Sequence, residues 1–106
     1  MSISVNRIES TFKKELSYIL ENAKNDHLKA MTITDIDLTS QKEYARVYFM
    51  THKNVEKTLK EVKRSMAYIN KLLSSKLSLK RLPRIEFILD TSYEYGKEIE
   101  EKLKNI

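Results

Sequence analysis

The sequence predicts an α+β fold, a three-stranded sheet with helices packed on one face, on three observations. Apolar residues recur at helical spacing over 4–24 and 55–73, and at strand spacing over 31–38, 44–51 and 85–89. The order is helix, strand, strand, long helix, strand, helix, which a helix-on-sheet layer arrangement absorbs. One Gly and one Pro in 106 residues favour long regular elements over tight turns. A chain of this length is expected to form one domain, here residues 1–106, and to bury roughly two-thirds of its surface.

The first helix is read from Val5, Ile8, Phe12, Leu16, Ile19, Leu20 and Ala23, with charges between them and Ser4 as N-cap. Asn25-Asp26-His27 reads as its exit. In the first strand, Thr32, Thr34, Ile36 and Leu38 are expected on one face and Met31 and Ile33 on the other. In the second, Ala45, Val47 and Phe49 alternate with Tyr44, Arg46 and Tyr48. The short polar link Thr39-Ser40-Gln41-Lys42 argues an antiparallel hairpin.

The long helix carries Val55, Leu59, Val62, Met66, Ile69 and Leu73 at steps of four and three, with Asn54 as N-cap. An internal bend is expected in a helix of this length. Lys80-Arg81 lead to Pro83, which ends any helix before it. Ile85, Phe87 and Leu89 then mark the third strand. The helix between strands two and three is long enough for a crossover that makes them parallel. Thr91-Ser92-Tyr93-Glu94 forms a capping-box pattern that opens a final helix with Tyr95, Ile99 and Leu103 on one side.

Charge narrows the function. The net charge is +5, but residues 1–56 balance, with eight basic and eight acidic side chains. Residues 57–84 carry nine basic side chains and the single acid Glu61, a net of +8, and residues 85–106 carry −3. A block this lopsided attracts polyanions, chiefly nucleic acid or an anionic membrane. Lys57, Lys60, Arg64 and Lys71 fall opposite the apolar stripe of the long helix, with Lys63 at the flank. Lys76, Lys80, Arg81 and Arg84 continue the positive charge towards the third strand. Tyr44, Tyr48 and Tyr68 are aromatic side chains that could stack on bases, although Tyr more often packs its ring and wets its hydroxyl.

Other classes find little support. The absence of Cys removes disulfide frameworks, thiol nucleophiles and cysteine-based zinc sites, and fits a reducing, cytoplasmic setting. No apolar run approaches a membrane span, and charges run through the first twenty residues where a signal peptide would be apolar. His27 and His52 stand in no metal-ligand motif, and one Gly cannot build a phosphate-cradling loop. Asp35 and Asp37 share one side of a strand, which is the ordinary pattern of a solvated surface. No enzyme, cofactor or metal is expected.

Two stretches carry a resemblance. Met31-Thr32-Ile33-Thr34-Asp35-Ile36-Asp37-Leu38-Thr39 is followed by Ala45-Arg46-Val47-Tyr48, and Pro83-Arg84-Ile85-Glu86-Phe87-Ile88-Leu89-Asp90-Thr91-Ser92 stands at the right separation. On these, over about residues 3–103, the chain resembles the bacterial ribosome-binding factor A family, small-subunit maturation factors with a KH-like fold. The resemblance implies the same element order, with a bend between two helices where other KH domains carry a Gly-x-x-Gly loop. Family members often have Ala-x-Gly there. This chain has Ser65-Met66-Ala67, so a milder bend is expected, with Ser65 and Ala67 small enough for close approach of a phosphate backbone. The family's Asp-Pro-Arg after the first helix appears only as Asp26-His27-Leu28.

The resemblance further implies a non-enzymatic monomer that binds the immature small (30S) ribosomal subunit and its 16S rRNA. It would promote late maturation and 5′-end processing, cooperate with assembly factors including GTPases, and leave before translation. Two alternatives stay open: a general single-stranded RNA-binding KH-type module, and a protein–protein adaptor using the amphipathic long helix.

Overall fold

The computed structural model describes residues 2–39, 43–77 and 81–92. The expected final helix beyond Ser92, the hairpin link at 40–42 and Lys80 lie outside the described residues. Helix α1 spans Ser2–Glu21, so Ser4 falls inside the helix rather than at its cap. Its stripe buries Phe12, Leu16, Ile19 and Leu20.

The expected exit from α1 is instead a one-turn helix, α2, Asp26–Lys29. Asn25 creates it: its side-chain oxygen accepts from the N–H groups of His27 at 2.8 Å and Leu28 at 3.2 Å. Those donors have no partner within the turn, so an Asn at this position starts a helix in place of a plain loop. Leu28 then drops into the core.

Strands β1 (Thr32–Leu38) and β2 (Tyr44–Met50) pair antiparallel as the hairpin reading requires. Strand β3 (Arg84–Leu89) pairs with β2 in parallel, giving the order β1-β2-β3. Ala45, Val47 and Phe49 of β2 are wholly buried and face the partly buried Ile85, Phe87 and Leu89 in register. The face assignment of β1 needs correction. Ile33 pairs with Phe49 and Asp35 with Tyr48, which leaves Thr34 as an extra residue on β1. This bulge resets the alternation, so Ile33, Ile36 and Leu38 all enter the core from the same face.

The bulge residue is anchored on both sides. Its carbonyl accepts from Lys13 Nζ at 3.3 Å, and its hydroxyl donates to Asp90, just past β3, at 2.5 Å. Glu9 also accepts from the Leu38 N–H at 3.1 Å, so α1 satisfies two backbone groups of an edge strand.

Helix α3 (Val55–Lys76) is 22 residues long. Asn54 caps it, accepting from the Lys57 N–H at 2.9 Å. Ser65, Met66 and Ala67 lie inside this one uninterrupted helix, so the bend expected there does not divide it into two. Val62, Ile69 and Leu73 are buried as the stripe requires. Leu59 is 37% exposed, and Thr58 takes the core position at 0%. A polar residue fits there because its hydroxyl donates to the Asn54 carbonyl at 2.8 Å. No helix among the described residues is long and apolar enough to cross a membrane.

Candidate nucleic-acid interface

Burying Thr58, Val62, Ile69 and Leu73 fixes the rotation of α3. At 3.6 residues per turn, Lys60, Ala67 and Lys71 then point directly away from the core, with Lys63 and Arg64 on either side. All five are exposed, as is Lys57 in the first turn. Ser65 is half-buried. Lys60 and Lys71 stand about 16 Å apart along the axis, so the charges form an extended strip rather than a point. The small side chain of Ala67 lies between them.

The structure adds residues that spacing alone did not single out. A surface depression of about 620 Å³ is lined by His27, Lys57, Lys60, Glu61, Lys63 and Arg64. His27 arrives there from α2, separated by thirty-odd positions from its neighbours on α3. Glu61 is the organising residue. Its carboxylate accepts from Asn25 Nδ2 at 3.0 Å, tying the cap of α2 to α3, and pairs with Arg64 at 3.2 Å. The lone acid of the basic block thus positions one of its cations. The only advance signal was that Glu61 stood alone among nine bases.

Among the described residues the +8 block does not form one continuous surface. Lys76 sits at the far end of α3, where it lines a second depression of about 500 Å³ with Lys14, Glu15, Ser17, Tyr18 and Glu21. Acids of α1 temper it there. Arg84 pairs in register with Tyr44, on the sheet face turned away from the core. That far face also carries Asp35, Asp37, Arg46 and Glu86, with Asp37 and Arg46 paired at 3.8 Å. Arg81 is exposed just before β3. The cations that share one face are therefore Lys57, Lys60, Lys63, Arg64 and Lys71. Arg84 belongs to a different surface, where three acids face two bases.

Solved structures share this architecture. A crystal structure of ribosome-binding factor A from Thermus thermophilus superposes with a TM-score of 0.74 at 21% identity, covering 79% of this chain and 92% of that one. A solution structure from Thermotoga maritima, described as a putative ribosome binding factor A, gives 0.64 at 22% identity, covering 78% and 83%. The fold is the KH-like fold of those proteins. In sequence, ribosome-binding factor A of Caldanaerobacter subterraneus is 36% identical over all of this chain and 91% of its own length. That of Francisella tularensis is 33% identical over 94% of this chain and 72% of its own. The family model described as ribosome-binding factor A matches residues 4–103, and with these relatives it shows that the chain belongs to the ribosome-binding factor A family.

Proposed function

We propose that this chain binds the immature small (30S) ribosomal subunit through the outer face of α3 and promotes late maturation of its 16S rRNA, including processing of the 5′ end. The observation that carries this reading is the set of five exposed cations, Lys57, Lys60, Lys63, Arg64 and Lys71, on the side of one helix opposite its buried stripe. A Thermus thermophilus ribosome binding factor A with TM-score 0.70 to this chain is described as fitted into the map of a 30S complex.

The role is binding without catalysis. A lysine-dominated strip meets phosphates as point charges, without the bidentate geometry that reads bases. It therefore suits an RNA recognised by its shape and backbone. Maturation would follow if the chain bound one subunit conformer more tightly than another, because only differential affinity shifts a conformational population. Assembly factors, GTPases among them, would act on the same particle.

Co-sedimentation with separated small subunits, large subunits and bulk RNA across a salt series tests the reading. Selective binding to small subunits, strongest for immature ones, is the expected outcome. Equal binding to every RNA would reduce the role to a general RNA-binding module. Binding that survives nuclease and high salt would point to a protein partner instead.

A further inference from the structure

Tyr68 is 55% exposed, a large apolar ring in solvent on a helix whose neighbouring turns carry cations. The positions Lys57, Glu61, Arg64, Tyr68 and Lys71 step by four, three, four and three, so they share one stripe of α3. Tyr68 thus has Arg64 one turn before it and Lys71 one turn after it. The Arg64 guanidinium is drawn towards Glu61, one turn further from Tyr68, and leaves the ring uncovered. Among the described residues the one aromatic pair is Phe49 with Phe87, and the Tyr68 hydroxyl makes no hydrogen bond.

The other exposed tyrosines stand in different fields. Tyr18 lies in a depression where Glu15 and Glu21 offset Lys14 and Lys76. Tyr44 lies on the far sheet face, where Asp35, Asp37 and Glu86 outnumber Arg46 and Arg84. Among the described exposed tyrosines, only Tyr68 has cations on both sides along its own element.

We propose that Tyr68 stacks on an unpaired RNA base while Arg64 and Lys71 hold the flanking phosphates, making the α3 face selective for single-stranded over duplex RNA. The proposal rests on the reading that this face binds RNA. A duplex buries the faces of its bases, whereas an unpaired base presents one to an aromatic ring. A cation on either side pins the backbone so that the base between is presented to the ring.

The test uses the full chain and its Tyr68→Phe, Tyr68→Leu and Tyr68→Ala variants. Each is titrated at one salt concentration with a single-stranded oligoadenylate of about twelve nucleotides, within the site size of such surfaces, and with an RNA duplex of matched length. Tyr68→Leu and Tyr68→Ala are expected to lose ~5- to 150-fold in single-strand affinity, the usual range for one stacked base, and to keep their duplex affinity. Tyr68→Phe keeps both. Wild-type affinity in Tyr68→Leu, or equal losses on single strand and duplex, overturns the stacking role. If the wild-type chain binds neither RNA, the stacking role and the RNA-binding reading fall together. If it binds the oligoadenylate with the expected pattern but shows no preference for small subunits, the stacking role stands and the ribosomal reading falls.

Discussion

Asp90 shows how much one side chain holds together. Its carboxylate accepts from the Thr34 hydroxyl at 2.5 Å and from the Ser92 N–H at 2.9 Å, joining the bulge of β1 to the chain leaving β3. These bonds favour the ionised form, the Thr34 bond most, and hold the pKa below its ordinary value of 3.8. A depressed folded pKa contributes stability that is present above the unfolded value and lost as pH falls through the folded one. The thermal midpoints of wild type and Asp90→Asn are therefore expected to differ by a constant amount above pH ~5 and to converge below pH ~4. A difference that stays constant down to pH ~2 would sink this account. Thr34 and Asp90 are 56 positions apart, and neither stands in a pattern that announces the other. Asp90 also accepts from the Ser92 N–H, while the expected capping box of Thr91 with Glu94 lies outside the described residues.

The elements themselves were legible where a pattern ran long enough to define a period. The stripe of α3 and the alternation of β2 each repeat several times, and the Asn54 cap has a direct physical cause. Where the pattern is short or interrupted, legibility failed. Four residues of α2 contain barely one helical turn, so no periodicity could reveal it, and Asn25 was the sole signal. A bulge adds one residue without changing composition, so strict alternation puts Ile33 on the wrong face of β1. Leu59 and Thr58 exchange roles because hydropathy does not register that a threonine can satisfy its hydroxyl on the preceding turn. At Ala67 the element makes its own prediction. Because α3 continues through this exposed position, Ala67→Gly should destabilise the chain by about 1 kcal/mol, the ordinary cost of glycine inside a helix. Chemical denaturation measures it, and an unchanged or raised midpoint would show that the backbone there departs from regular helix.

Across the whole molecule, charge is sorted by the packing of α3 more than by position in the chain. The sequence block runs from Lys57 to Arg84, yet the fold turns part of it outward on α3 and carries Arg84 to the far sheet face. That division was invisible to counting, because it depends on which face of the sheet the helices cover. It separates two explanations of polyanion binding, a general pull by a chain of net charge +5 and a located strip. Two triple variants decide between them, since each moves the net charge from +5 to −1. Lys60→Glu, Arg64→Glu and Lys71→Glu strip the outer face of α3. Arg7→Glu, Lys14→Glu and Lys24→Glu alter exposed positions on and just after α1. If the strip binds the backbone, the α3 triple should flatten the dependence of log affinity on log salt by about 2 to 3, because each reversed cation gives up about one phosphate. The α1 triple should weaken binding only through the long-range field, a loss that fades as salt shortens the Debye length, and so should flatten the slope much less than the α3 triple. Equal slopes in the two triples would mean that net charge, and not the face of α3, carries the interaction.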